Sequence, residues 1–418
     1  MPSCAQNFRG ARRATRRGRR KGARVQSAHL REHNLSTLLT ALAAASTVDS
    51  PTSRAGLAKL TRLTKPTVSK LIEELVGAGL VEEGAPISAG AGRPMVPLTP
   101  ARGTLLAIGL EIAADHIACL GIDLAGRTLS HHIEYRKVTA GSAEAAIDLA
   151  AELVGLVRAE AGDLPTVGVV VAVPGRIAPD DGRVLSAPNL DWTEVPLVSR
   201  LLAHPELEGL AVRAQNDNRL SVLTEIDHRP GESFIYLRGS TGIGGAVVLD
   251  GALMTGAHGW AGEFGHTVIE PGGAKCRCGR RGCLEAYVSY HALRERAGLD
   301  DDVLIEDLVE ALSRTSDRTE VIGMIGRSLG LAIANALNVL DLTTVVLSGY
   351  LAPIADELEP VIRGTVERHA LAAEAGPVRI ERSDDYADPA LHGAARAALQ
   401  PVFSAPGAWI GRSAHPLR

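Results

Sequence analysis

The chain is poor in aromatic residues: Phe, Trp and Tyr together make up 3% of its 418 positions. Its core must therefore be built mostly from Ala, Val, Leu and Ile. Cysteine is scarce too, with five residues in all. That is too few for a disulfide scaffold of this size, which excludes the small disulfide-stapled classes. No uninterrupted apolar run approaches the roughly 18 residues that a membrane helix needs. The apolar segment of a secretory signal is also lacking. A cytoplasmic location and no membrane partner are the expectation. Hydrophobic residues at 45% and charged residues at 22% are ordinary shares, so wholesale disorder is excluded. The length predicts two to three domains.

Acid is missing from one stretch. Residues 1–27 hold nine Lys and Arg and no Asp or Glu. Residues 1–100 hold sixteen basic side chains against six acidic ones, a surplus of +10 that leaves −14 for the rest of a chain of net charge −4. A basic head on an acidic body directs a polyanion to the head alone. Residues 1–27 read as a disordered basic tail drawn to phosphates without sequence preference, or simply as a solvated extension.

From His29 the pattern turns helical. Leu30, Leu35, Leu38, Leu39 and Leu42 fit a buried stripe of period near 3.6. A short helix is predicted over Arg54–Leu60, a turn at Thr61–Leu63, and a second helix from Thr64, with Thr64 as N-cap and Pro66 in its first turn. Val68, Leu71, Ile72 and Leu75 fall at i, i+3, i+4 and i+7 and face inward. That leaves Lys65, Thr67, Ser69 and Lys70 outside, near the N-terminal end. A recognition helix needs such a buried back and such a front of short polar and basic groups. Strands at Leu80–Glu82 and Met95–Leu98 would form a β-hairpin wing with Arg93 at its tip, within reach of a phosphate or minor groove. Residues 28–100 thus read as a winged helix-turn-helix DNA-binding domain. A small helical packing domain with no nucleic-acid role is the plainer alternative.

Thr99-Pro100 reads as the start of a linker. Beyond it, strand-like runs recur at Leu105–Glu111, Ile117–Asp123, Val167–Val173, Ala211–Ala214, Ser233–Leu237, Gly245–Leu249 and Thr344–Leu347. Helical stretches separate them, such as Ser142–Ala161, Asn218–Ile226 and Thr319–Leu340. Alternation of this kind implies α/β architecture. Residues 101–400 suffice for two lobes with a ligand cleft between them, and 401–418 remain as a C-terminal tail.

Three segments carry chemistry. His266, Cys276, Cys278 and Cys283 offer one imidazole and three thiols, with Gly279 and Gly282 letting a short loop fold back. This set suits a tetrahedral Zn²⁺, and four protein ligands make such a zinc structural. Three buried or reactive thiols beside an unrelated histidine are the other possibility. The zinc would fix the loop that carries Glu263 and Glu285. Gln215-Asn216-Asp217-Asn218 lies between a strand and a helix, where Asn and Asp serve as caps. It is also where the clefts of α/β proteins bind ligands, and a carboxylate there can accept a hydroxyl proton. The Gly-rich segment 238–245 is by itself weak evidence for a phosphate loop.

These residues resemble the ROK family of repressors and sugar kinases. The resemblance rests on Glu263-x-Gly-His266, the Cys-x-Cys-Gly-x-x-Gly-Cys-Leu-Glu run ending at Glu285, Asn216-Asp217, segment 239–245 and Pro188-Asn189-Leu190-x-Trp192. In the head, Arg54-x-x-Leu-Ala58, Leu63-Thr-Lys-Pro-Thr-Val-Ser69 and Gly92-Arg-Pro94 resemble the winged helix of the family's regulators, the xylose and N-acetylglucosamine repressor type. The resemblance implies a two-lobed actin-like (ribonuclease H-like) sugar-kinase fold behind the winged helix. It implies sugar contacts at Asn189, Asn216, Asp217, Glu263, His266 and Glu285, with His266 shared between zinc and a hydroxyl.

Family kinases carry an Asp-x-Gly-Gly-Thr turn for the phosphates of ATP and magnesium. The matching stretch here is Glu111-Ile-Ala113-Ala114-Asp115. Both glycines are Ala, and a carboxylate stands where the threonine hydroxyl would be, so ATP and Mg²⁺ are not expected. Ser348-Gly349 is a milder departure from the adenosine-side Gly-Gly. Asp217 is the catalytic base position if the protein is a kinase. The expectation is a transcription factor, a repressor that answers to a sugar or sugar phosphate, binds a palindromic operator and forms a homodimer or homotetramer. An active sugar kinase that also binds DNA is the rival.

Overall fold

The structure, a computed structural model, describes residues 28–45, 51–87, 94–305 except 301–302, 307–383 and 387–411. The first helix, α1, spans residues 28–45. Leu35, Leu38, Leu39 and Leu42 are fully buried along it. Leu30 is not: it is 61% exposed. At 3.6 residues per turn it stands about 130° from the centre of that stripe. Helix α2 (Arg54–Thr61) starts at Ser53, whose hydroxyl accepts from the Gly56 N–H, and α3 (Lys65–Gly77) starts at Thr64, which accepts from the Thr67 N–H. Val68, Leu71, Ile72 and Leu75 all face the core. Ion pairs Arg31–Glu74 and Arg54–Glu83 tie α1 to α3 and α2 to the first strand.

That strand, β1 (Val81–Glu83), pairs antiparallel with β2 (Leu98–Pro100). Thr99 and Pro100 therefore close the wing rather than open a linker. The predicted strand Met95–Leu98 is shifted because Pro94 and Pro97 have no N–H to give a ladder. Met95 makes an isolated bridge to Ile87, and regular pairing begins at Leu98. Arg93 lies outside the described residues.

Two lobes follow. The first contains β3 (Leu106–Ile112), β4 (His116–Ile122), β5 (Thr128–Tyr135), α4 (Ala143–Ala161) and β6 (Thr166–Val173). A small sheet of β7 (Arg176–Ile177), β8 (Val184–Ala187) and β9 (Trp192–Val195) and a short α5 (Leu197–Leu201) precede β10 (Val212–Asn216) and α6 (Asp217–His228). The second lobe contains β11 (Phe234–Gly239), β12 (Ile243–Leu249), β13 (Ala252–Leu253), α7 (Glu285–Val288), α8 (Tyr290–Arg296), α9 (Leu308–Ser313), α10 (Arg318–Leu340), β14 (Thr344–Gly349), α11 (Ala355–His369) and β15 (Arg379–Arg382). Helix α12 (Pro389–Ser404) then returns to the first lobe and packs on β3, β6 and α6.

The sheets repeat one plan. Their orders are β5-β4-β3-β6-β10 and β13-β12-β11-β14-β15, each with two antiparallel pairings followed by two parallel ones. The β3–β4 and β11–β12 turns are thus equivalent, and both line the cleft between the lobes. Helix α10 is long and apolar enough to cross a membrane, but most of it is buried inside the second lobe. One apolar cluster runs without interruption from Leu35, Leu57 and Leu75 in the head through Leu80 and Leu105 to Leu391 and Leu399 of α12.

Candidate ligand cleft and metal centre

The loop after β13 gathers four ligand atoms. Those of His266, Cys276, Cys278 and Cys283 all lie within 4.8 Å of one another. Two bridges, Val268 with Cys283 and Lys275 with Arg281, hold the loop closed. Gly279 and Gly282, at φ of +87° and +77°, make its reversals. Cys278 Sγ stands 3.8 Å from Cys283 Sγ, and Cys276 Sγ stands 3.8 Å from His266 Nδ1. A tetrahedral zinc with bonds of about 2.3 Å to sulfur sets ligand-to-ligand edges of about 3.8 Å. The donor set and its spacing fit such an ion. His266 Nδ1 faces the thiols, while Nε2 faces the Glu263 carboxylate at 3.9 Å.

The same loop presents its acids to a cavity of about 800 Å³ between the lobes. Asn189, Asn216, Asp217, Glu263, His266 and Glu285 all line it. Their remaining hydrogen-bonding capacity differs. Asn216 ends β10 and caps α6: its Oδ1 accepts from the N–H groups of Asn218 and Arg219, and its Nδ2 donates to the Gly175 carbonyl at 3.0 Å. One amide hydrogen is left for a ligand, so capping takes most of this side chain. Glu285 starts α7, is buried, and accepts from the Ile243 N–H at 3.1 Å through Oε2. Asn189 Nδ2 and the Glu285 carboxylate meet over Gly242, where a Cβ would touch both. Glu263 is half exposed, and burial of the rest raises its pKa.

Asp217 is buried at the first position of α6. Its Oδ1 accepts from Asn218 Nδ2 at 2.9 Å, and its Oδ2 faces Arg238 Nη1 at 3.3 Å. Burial pushes its pKa up to about 6 against the opposing pull of Arg238.

Arg238 opens a network that the sequence did not disclose. Its Nη2 lies 3.8 Å from Glu111 Oε1, so it bridges the two lobes. Glu111 and Arg238 stand next to the last residue of the equivalent strands β3 and β11. His116 follows the β3–β4 turn, with Nδ1 2.8 Å from Asp115 Oδ1 and Nε2 3.9 Å from Glu111 Oε2. Burial disfavours the imidazolium, yet the Asp115 and Glu111 carboxylates prevail and raise His116 to about 10. Both carboxylates are held low by His116 and Arg238 in spite of burial. The one available signal was a lone Glu and a lone Arg embedded in the otherwise apolar strands Leu-Ala-Ile-Gly-Leu-Glu-Ile and Phe-Ile-Tyr-Leu-Arg-Gly. Nearby, the Tyr350 ring lies 2.6 Å from where a Cβ on Gly239 would sit, and the Tyr350 hydroxyl donates to the Val288 carbonyl.

The head is a separate surface. Lys65 and Lys70 are exposed and Thr67 and Ser69 partly so, all on the first two turns of α3. None of them borders the cavity.

A family model described as "ROK family" matches residues 107–400. A putative xylose repressor from Caldicellulosiruptor sp. is 30% identical over 360 residues, covering 79% of this chain and 87% of its own length. A solved ROK family transcriptional regulator, a homologue of the E. coli MLC protein, superposes with a TM-score of 0.71 at 24% identity over 90% of this chain and 98% of that one. A glucokinase from Streptomyces griseus, solved with glucose and AMPPNP, gives 0.58 at 24% identity, covering 71% of this chain and 99% of that one.

Proposed function

This chain belongs to the ROK family, with its actin-like two-lobed body, and from that membership and the geometry of its cleft we infer that it is a sugar-responsive transcriptional repressor. One observation carries the inference most: a winged-helix head shares a continuous apolar core with a body whose hydroxyl-reading acids converge on a single cavity. Lys65, Thr67, Ser69 and Lys70 on α3 meet the operator, and Arg93, which lies outside the described residues, joins them in contacting DNA as the sequence predicts. Asp217, Glu263, His266, Glu285, Asn189 and the spare hydrogen of Asn216 hold a sugar or sugar phosphate. Paired acids and amides read vicinal hydroxyls and penalise the wrong epimer. A structural zinc on His266, Cys276, Cys278 and Cys283 fixes the loop between Glu263 and Glu285. A homodimer or homotetramer presents paired heads to a palindromic operator.

The residues do not fit ATP and magnesium. Ala113 and Ala114 put methyl groups where a phosphate loop needs bare backbone. Asp115 puts a carboxylate where a hydroxyl would stand, and that charge repels a polyphosphate. Arg238 is engaged by Asp217 and Glu111, and Tyr350 covers Gly239. The second reading, an active sugar kinase, rests on the retained Asp217 and the Gly-rich turn after Arg238.

Two assays separate these readings. Gel shifts on DNA flanking the gene, titrated with a sugar panel, should show one complex whose affinity changes with a sugar. Indifference to every sugar would remove the sensor role. ADP release with the same sugars should stay at background. Sugar-dependent turnover lost in Asp217→Asn would establish the kinase.

A further inference from the structure

One cation on the cavity wall lacks the partners that other guanidiniums of the body have. Arg219, the third residue of α6, is half-buried and lines the cavity with Asn216, Asp217 and Asn218. Its Nη1 donates to the Gly259 carbonyl at 2.9 Å. Nε and Nη2 make no hydrogen bond among the described residues, and neither is sealed from solvent. These two donors form the side edge of the guanidinium, a fork that fits a carboxylate or phosphate in bidentate fashion. Arg238 is met by Glu111 and Asp217, and Arg229 by Glu225, Glu232 and Glu381. Arg219 has no carboxylate at ion-pair distance among the described residues, and burial, with no opposite charge to offset it, lowers its pKa. A cation so placed is costly until an anion meets it.

The wall around Arg219 is held in place. Gly259 stands between His258 and Trp260, and all three line the cavity. The Trp260 indole N–H donates to the Ile177 carbonyl at 3.4 Å, and the His258 ring leans on the indole with centroids 5.3 Å apart. This loop of the second lobe is thus fastened to the first at two points, Arg219 and Ile177. His258, next to the carbonyl that fixes Arg219, adds an imidazole to the same stretch of wall. Asp217, two positions before Arg219, is already engaged by Arg238 Nη1 and Asn218 Nδ2. The charge left open at Arg219 is therefore positive, and it favours an anion.

We propose that Arg219, assisted by His258, is an anion-reading residue of the cleft, so that the effector is a monosaccharide bearing a phosphate or a carboxylate rather than a neutral sugar. This rests on the sugar-sensor reading above, and the experiment separates the two. Calorimetric titration of the full chain would compare glucose, galactose, xylose and N-acetylglucosamine with glucose 1-phosphate, glucose 6-phosphate, N-acetylglucosamine 6-phosphate, glucuronate, galacturonate, gluconate and xylonate. At least one anionic form should bind tenfold or more tightly than its neutral parent, and added salt should narrow that gap. Whether the phosphates or the carboxylates gain identifies the source of the charge. Arg219→Gln should lower the preference at least tenfold, Arg219→Lys should restore part of it, and His258→Gln should lower it several-fold. Neutral parents that bind at least as tightly as every anionic form overturn the anion subsite and leave the sensor reading intact. So does a preference that survives Arg219→Gln. Silence towards every sugar overturns both. If Arg219→Gln does not fold, the wild-type ratio and His258→Gln still decide.

Discussion

Asp217 shows how one residue answers to two partners. Arg238 favours its charged form and burial opposes it, and burial wins, leaving the pKa at about 6. A carboxylate accepts from sugar hydroxyls far more strongly when it is ionised. Sugar affinity should therefore fall about tenfold between pH 7 and pH 5, since each unit below the pKa costs close to tenfold in ionised carboxylate. Stability runs the other way. The folded pKa lies above the unfolded value of 3.8, so the group's contribution is fully present below that value and is lost as pH rises through about 6. Calorimetric titration and melting curves across this range should show opposite slopes, and Asp217→Asn should flatten both. Asp217 itself was legible because Asn216-Asp217 sits at a strand's carboxyl end. Arg238 was not, since its pairing with Glu111 across the two lobes leaves no local spacing in the sequence.

At the scale of elements, the His266–Cys283 loop was the most legible part, because a metal-ligand set fixes residue type and spacing together, and the structure brings those four ligand atoms within 4.8 Å of one another. Cys283→Ser should lose about one zinc per chain by elemental analysis. It should also weaken sugar binding about 10- to 100-fold, because Glu263 and Glu285 flank the loop that the proposed ion would fix. Were sugar affinity untouched after the metal is lost, the loop would not be what positions those acids. Helix α3 was legible for the same reason: cap, proline and apolar stripe agreed. Lys65→Ala and Lys70→Ala should each weaken operator binding nearly uniformly across sequences and lower the salt slope by about 1. Thr64→Ala, which removes the cap, should cost about 1 kcal/mol in thermal unfolding. The wing was read with its second strand misplaced. A short apolar run pointed to Met95–Leu98, but two prolines withhold the donors a ladder needs. Strand β5 went unread because exposed polar residues on both its faces, His131, Glu134 and Tyr135 among them, leave no apolar run.

At the scale of the molecule, α12 is the centre of the assembly. It lies against β3 on one side and α6 on the other, and Gly393 lets it approach the Leu220 carbonyl of α6 so closely that a Cβ has no room. An exposed helical Gly→Ala change is stabilising by up to about 1 kcal/mol. Here Gly393→Ala should instead destabilise by about 1–3 kcal/mol, as overpacking does. A raised melting temperature would show the contact to be looser than described. Just beyond α12, the Gly407 N–H donates to Glu32 of α1 at 2.8 Å. A ligand on Asp217 at the start of α6 thus has a packed route to the head through α12. Glu32→Ala should lower the sugar-dependent change in operator affinity several-fold in gel shifts while sugar binding measured by calorimetry persists. The duplicated sheet plan was invisible in the sequence. The paired strands share geometry and order, but the loops between them differ in length, and the single charge near the end of β3 and of β11 is opposite in sign.

The unbroken apolar cluster from α1 to α12 sets how the protein comes apart. A head on a tether would melt independently and could be cut away without harm. Here Leu80, Leu105 and Leu399 belong to one core, so the head and first lobe should denature in a single cooperative event, with the second lobe free to follow its own transition. A fragment beginning near residue 101 would uncover that seat, and sticky, poorly soluble material is the expected yield. Exchange of heads between relatives would then succeed only where the seat is exchanged as well.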